Sequence, residues 1–332
     1  NVDYIQTTPA IPAETFIELP DEIGSLMKYY GYKHPMRKIV IAINIPFWRG
    51  RRGGFERVVQ MVQFLHGEGH LLHLFYIGTL SENDKQALAD LGIVRFLDTK
   101  EGYPSQRGAT QRLKYFKNKQ FKKMFERYVD HVSADTAFIV RAHLGYLIQK
   151  LPKSVLTIID KIDVLYLRSE LFKSEGKTHW IDISKKEEAK VLNTFNCVIA
   201  IQDKDQERFK NFCKRPIISV KHYVPRELLF SINPSAPVKL VFVGTRGHHN
   251  QSALERILNS IYPILEDKSL EYELVVAGGV CDTVAANTTM ERLTLLGEID
   301  KLKEVYRGDV IALNPTSIGG GLKIKNVEAL CY

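Results

Sequence analysis

Cysteine is scarce and unpatterned in this chain. Its four cysteines, Cys197, Cys213, Cys281 and Cys331, form no C-x-x-C pair, which sets aside zinc-ribbon and disulfide-scaffold classes. Cys197 lies in an apolar, strand-like run and reads as a reduced core thiol. Long apolar runs are missing too: nothing approaches the about 18 consecutive residues that a membrane-spanning helix needs. No secretory signal is visible and there is no initiator Met, as in a piece of a longer protein; the expected location is cytoplasmic. The dinucleotide fingerprint G-x-G-x-x-G is absent, because Gly50, Gly53 and Gly54 have the wrong spacing and Arg51-Arg52 fill the middle. A D-x-D pair at a strand end is absent as well. Asp203-Lys204-Asp205 has the spacing but opens a polar helix, so no metal site is expected.

What is present is an alternation of strand and helix patterns that runs twice. A chain of 332 residues has room for about two domains. Strand patterns are predicted at Lys38–Ile45, His70–Ile77, Ile93–Leu97, Ala137–Val140, Val155–Ile159, Cys197–Ile201 and Pro216–Val220. Helical patterns fall between them at Phe55–Leu65, Ser81–Leu91, Lys185–Leu192 and Asp203–Phe212. Short turns between such units predict a parallel sheet covered by helices. Tyr223–Pro237, with three prolines and no period, reads as a linker. The alternation then restarts with strands at Lys239–Val243, Tyr272–Ala277 and Arg292–Leu296, and helices at Ser252–Leu265 and Lys301–Tyr306. A short apolar run, Val310–Leu313, predicts a buried parallel strand. A final helix follows it, with Leu322, Ile324, Val327, Ala329 and Leu330 at buried positions. The expected division is an arm over 1–37, with a short helix at Asp21–Tyr30, a first domain over 38–222, a linker over 223–237 and a second domain over 238–332.

The net charge of +8 points to an anionic partner: a nucleotide, a lipid headgroup or nucleic acid. Nucleic acid is set aside, since no recognition module accompanies the charge. Strand, glycine turn and helix start together offer free backbone N–H groups to an anion, and that pattern occurs at Gly319-Gly320-Gly321, with Lys323 and Lys325 beside it and Glu328 one turn on. A tight turn using glycine only for shape reads equally from the same residues. The loop holding Arg51, Arg52, Gly53 and Gly54 either faces a diphosphate or is solvated. His143 follows a strand, where ligands bind in open α/β sheets, and is either a donor or base for substrate or a structural histidine. Asp160 and Asp163, near Arg168, are acid/base groups, contacts for substrate hydroxyls, or helix caps. Residues 111–129 form a basic amphipathic segment that either lies on an anionic membrane surface or buries its aromatic stripe on the sheet.

The ordered pieces GGFERVVQMVQFLHGEGH, CVIAIQDKD, LVFVGTRGHHNQSA, ELVVAGG, LTLLGEIDKLKEVYRGDVIALNP and GGGLKIKNVEAL resemble the group 1 (family 4) class of GT-B glycosyltransferases, from about Lys38 to the end. The resemblance implies an α/β fold of two Rossmann-like domains facing across a cleft, the first on the acceptor side and the second, which stops within its final helix and so is incomplete, on the donor side. It implies a transferase using a nucleotide-diphosphate sugar, UDP- or GDP-linked, with no cofactor and no metal, and with retention of configuration. The acceptor it implies is a glycan or lipid-linked molecule at the cytoplasmic membrane face. Donor binding would fall to Gly53, Gly54, Gly244, Arg246, Asn250, Gly319, Gly320, Gly321, Leu322, Lys323, Lys325 and Glu328, the last holding ribose. His143 would lie at the sugar, with Asp160 as the other catalytic candidate. The chain departs from the family's E-x(7)-E pair, because Gly320 stands where the first carboxylate belongs. Two other readings share the architecture: a nucleotide-sugar 2-epimerase, and a catalytically weak nucleotide-sugar-binding module.

Overall fold

The computed structural model describes residues 35–50, 53–103, 110–224, 237–268, 270–284, 290–299, 301–317 and 321–332. The arm with its helix at Asp21–Tyr30, most of the linker, Arg51, Arg52, Gly319 and Gly320 therefore lie outside the described residues. The chain divides into two compact units, Asn1–Tyr223 with Gly320–Leu322, and Val224–Gly319 with Lys323–Tyr332.

In the first unit, strands β1 (Lys38–Ile43), β2 (Leu71–Tyr76), β3 (Ile93–Asp98), β5 (Thr136–Val140), β6 (Leu156–Lys161), β8 (Cys197–Ala200) and β9 (Ile217–Ser219) make one sheet in the order β3-β2-β1-β5-β6-β8-β9. Every pairing in it is parallel. Because successive side chains of a strand point to opposite faces, β1 feeds two cores. Ile39, Ile41 and Ile43 join Val58 and Val62 of helix α1 (Gly53–Gly67) and Leu88 of α2 (Glu82–Asp90). Val40 and Ala42 join Phe121, Phe125 and Tyr128 of α3 (Lys119–His131), with Leu165 of α4 (Leu165–Ser174), Leu192 of α5 (Lys185–Leu192) and Phe209 of α6 (Asp203–Lys210). Burial on both faces is why the strands read as continuous apolar runs rather than as alternating patterns. The helix starts have local causes: Ser81 and Ser184 make capping boxes with Asp84 and Glu187, and Asn118 caps α3.

The basic amphipathic segment over 111–129 is not one continuous helix. Gln111–Arg112 is a short strand, β4, paired with β7 (Ile181–Asp182), and Leu113–Phe116 is a 3-10 turn. Only after Asn118 does the α-helix begin. Its aromatic stripe packs on the sheet, so the face offered to a membrane in the other reading is occupied by the core.

The second unit has a parallel sheet of β10 (Val238–Val243), β11 (Tyr272–Ala277), β12 (Leu293–Gly297) and β13 (Val310–Ala312), in the order β12-β11-β10-β13. Helix α7 (His248–Arg256) starts four residues earlier than the expected Ser252 and leaves a loop of only four residues after β10. It passes through a π turn, Ile257–Ile261, into α8 (Tyr262–Asp267). Pro263 has no N–H to give the Asn259 carbonyl, so the backbone slips to the wider repeat. Helices α9 (Leu302–Val305) and α10 (Ile324–Cys331) complete the unit. Two expectations fail here. Strand β13 is parallel but lies at the sheet's edge with Ile311 half exposed, and α10 has no buried residue, with Leu330 mostly in solvent.

Candidate functional site

In each unit the chain turns from one side of the first strand to the other. From β1 it runs to β2 and β3 on one side and then returns to place β5 on the other; from β10 it runs to β11 and β12, then to β13. Loops leaving the carboxyl ends of the two central neighbours diverge at such a point, and ligands of open α/β sheets bind in the crevice between them. The sequence candidates gather at both places.

At the β1/β5 point of the first unit, His143 Nε2 lies 3.2 Å from Asn44 Oδ1 and donates to it in the Nε2–H tautomer. The ring sits among Phe116 (4.8 Å between centroids), Trp180 (5.1 Å) and Tyr103 (6.2 Å). Burial, then the charges of Arg141 and Lys161, holds its pKa well below that of a free histidine. It is therefore a neutral hydrogen-bonding group at neutral pH. Asp160 has no exposed surface, and both of its oxygens accept from Arg57, at 3.1 and 2.7 Å. That geometry makes it an anchor for α1 rather than an acid/base group open to substrate. Arg57 also donates to the Val220 carbonyl at 2.7 Å, tying α1 to the segment after β9. Asp163, 4% exposed, accepts from Arg168 at 2.6 Å. Lys161 pairs with Glu188 at 2.9 Å, both buried. Gly53 and Gly54 form the first turn of α1, and a Cβ at Gly54 would meet nothing within 4 Å.

At the β10/β13 point of the second unit, Gly278 has φ +91°, and a Cβ there would sit 2.4 Å from the Gly244 carbonyl oxygen. Glycine at 278 therefore lets the loops after β10 and β11 pass in contact. The Val280 N–H donates to that same carbonyl at 3.1 Å. Helix α7 has Gly247 as its N-cap and no side-chain cap, and the Asn250 N–H in its first turn donates to the Gly247 carbonyl at 2.9 Å. Asn250, 3% exposed, donates to the Thr245 carbonyl at 3.0 Å and accepts from Lys325 Nζ at 2.8 Å. Lys325 lies 4.6 Å over the Phe242 ring, and burial, with Lys323 adding to it, pulls its pKa to about 8. Arg246 is ion-paired with Asp282, both of them largely exposed. Gly321, with φ +73°, and half-buried Leu322 belong instead to the first unit, where a Cβ at 321 would sit 2.4 Å from the Ile162 carbonyl oxygen; Lys323 precedes α10. The Tyr306 hydroxyl is pushed up by burial and then by the charge of Glu328, which places Glu328 beside it.

The structure thus brings Gly244, Asn250 and Lys325 together in the second unit, and His143 with Asn44 in the first. Asn250 is a brace between the loop and Lys325, with both ends of its amide engaged. Sequence reasoning passed over Asn44, Arg57, Glu188, Trp180 and His222. Of these, Asn44 carried a readable signal, its place at the end of the strongest strand. A cavity of about 590 Å³ opens elsewhere, beside β3 and α3 near Arg95, Met124 and Tyr128, and holds none of the candidates.

The chain matches no protein-family model and no curated protein. Among solved structures it is similar to sucrose-phosphate synthase from Thermosynechococcus elongatus, at 12% identity over 88% of this chain and 78% of that one, with TM-score 0.61. It is similar to TarM, at 9% identity over 90% and 83%, with TM-score 0.64. A TarM variant from S. aureus, solved in complex with Fondaparinux, alpha-GlcNAc-glycerol and UDP, matches at 7% identity over 82% and 79%, with TM-score 0.53. What is shared at these identities is the fold, two Rossmann-like units of parallel strands and helices as in GT-B glycosyltransferases.

Proposed function

We propose that the chain is a glycosyltransferase. It moves a hexosyl group from a UDP- or GDP-linked sugar to a glycan or lipid-linked acceptor, in polysaccharide or glycoconjugate synthesis. The observation that carries this reading is the bond from Lys325 to Asn250, 75 residues apart in sequence, which joins the start of α10 to the start of α7 in the second unit. A cation beside a helix start and its glycine loop suits a diphosphate. The likeness in fold to TarM, a variant of which holds UDP, supports the same assignment.

Sugar transfer breaks the bond between the anomeric carbon and the diphosphate, so charge builds on the leaving oxygen. Fixed cations and backbone dipoles at that position lower the barrier most. Lys325 and Lys323, with Arg246, take that part without a metal. Glu328 holds the ribose. Within the first unit, neutral His143 hydrogen-bonds an acceptor hydroxyl. Retention of configuration belongs to the same proposal.

The test is to incubate the full chain with UDP-glucose, UDP-N-acetylglucosamine and GDP-mannose, with and without oligosaccharide acceptors. Acceptor-stimulated release of UDP or GDP is expected, with calorimetry giving the nucleotide affinity. A chain that binds neither UDP nor GDP overturns the reading.

A further inference from the structure

Three ion pairs neutralise most of the charge at the carboxyl end of the first sheet: Arg57 with Asp160, Lys161 with Glu188, and Arg168 with Asp163. Arg141 is left over. Its charge interacts with Asp163 and Asp160, carboxylates already engaged by other cations. Among the described residues its guanidinium makes no ion pair, and its Nε is buried with no partner. Four cations against three carboxylates leave a surplus of one positive charge, held in a half-buried place where an unpaired charge is costly. The backbone there is strained as well, since Arg141 has φ +84° without being glycine. Strain and an unmatched charge on one residue at the end of a central strand are features that folding alone does not favour.

The surroundings describe the rest of a ligand. His143 Nδ1, His179 Nε2 and Arg168 Nε are also buried without partners. Both imidazoles pack against the indole of Trp180, at 5.1 and 5.6 Å between centroids, and Trp180 keeps 37% of its surface exposed. An open aromatic face among unsatisfied ring nitrogens suits a sugar ring, and a lone guanidinium beside it suits one negative charge.

We propose that Arg141 binds an anionic group, a carboxylate or a phosphate, on the sugar acceptor, whose ring packs on Trp180. This rests on the glycosyl-transfer reading and names its acceptor class: an acidic or phosphorylated sugar.

The test uses the full chain and calorimetric titration with glucuronate, glucose 6-phosphate and glucose. Binding of one or both charged sugars in preference to glucose is expected, and which of the two binds identifies the anion. Arg141→Gln should weaken the charged sugar by about tenfold to a hundredfold, the worth of a charge-assisted hydrogen bond, and leave glucose and UDP unchanged. Arg141→Gly removes both the strain and the unpaired charge, so its melting temperature should rise while charged-sugar binding is lost. A merely structural arginine would instead lower the melting temperature. Equal affinity for charged and neutral sugars in the unaltered chain overturns the proposal. So does a preference that survives Arg141→Gln, or a parallel fall in UDP affinity, which would assign the guanidinium to the donor's phosphates. Failure of UDP to bind the unaltered chain overturns the glycosyl-transfer reading separately, and leaves the charged-sugar result to be judged alone.

Discussion

Removing the Arg57 guanidinium would leave Asp160 charged and buried without the cation that hydrogen-bonds it. Breaking a buried pair on one side costs about 3–5 kcal/mol, so Arg57→Met should lower the unfolding free energy, read from urea titration, by that order. Asp160→Leu added to it should restore much of the loss, because the stranded charge is gone. This pair also shows why the candidate site was only half legible. Asp160 could be read as a strand-end carboxylate, but its role is set by a partner 103 residues away in sequence, on the helix after the first glycine loop. No spacing rule reaches that far. His143 could be read in the same way, while its neutrality depends on burial that only the packed structure supplies. Lys325 is the opposite case, recognisable from its place after the glycines, and its altered basicity makes a test. Its charge is present below about pH 8 and lost above. UDP affinity should therefore fall as pH rises from about 7 to 9, and the Lys325→Met variant should bind weakly with a flat profile across that window. Calorimetry at several pH values checks both.

Loops and helix starts set how the site is held. Gly278 and Gly54 make a contrasting pair. At Gly278 a side chain meets both a left-handed φ and the Gly244 carbonyl, so Gly278→Ala should destabilise the second unit by at least about 2 kcal/mol. At Gly54 there is open space on a helix, so Gly54→Ala should stabilise by about 0.5–1 kcal/mol. Thermal melting of the two variants, compared with the unaltered chain, separates them. Elements with local causes were legible. Ser81 and Ser184 cap where their capping boxes say, and α5 runs over the predicted Lys185–Leu192. Elements decided by tertiary partners were not. The segment before Asn118 carries a helical pattern of apolar residues, yet Gln111–Arg112 pairs with β7, and that competing strand lies 70 residues on. The early start of α7 was hidden because His248, His249 and Asn250 lack apolar periodicity, and what recruits Asn250 is its bonds to Thr245 and Lys325.

Across the molecule, the repeated strand–helix alternation was enough to predict two parallel units, because double burial makes the central strands of each sheet apolar runs. What it could not show is that both units place their candidate residues at the same kind of point, where the strand order reverses. The buried histidines have a consequence for the first unit as a whole. Burial holds His179 and His222 at about 4, and His73 and His143 are lowered in the same sense. Above about pH 6.5 both the folded and the unfolded forms are neutral, and stability is complete. As pH falls below that, the unfolded chain takes up protons while the folded one resists until about 4. Each of His179 and His222 should then lose roughly 1.4 kcal/mol by about pH 5.5. Together that is a large part of an ordinary domain's stability. Urea unfolding at about pH 7.5 and 5.5 should show the first unit's transition moving to lower denaturant.

The all-parallel pairing of β1 also bears on how the protein is made. The Lys38 amide, at the start of β1, donates to the Asp135 carboxylate, 97 residues further along. At roughly 5–20 residues per second, a ribosome would need about 5–20 seconds to deliver that partner after β1 emerges. Through that interval β2 covers one edge of β1 and the other stands open, a strand of nearly pure isoleucine, valine and alanine. The early nascent chain is therefore the form of this protein with most reason to be shielded by a chaperone.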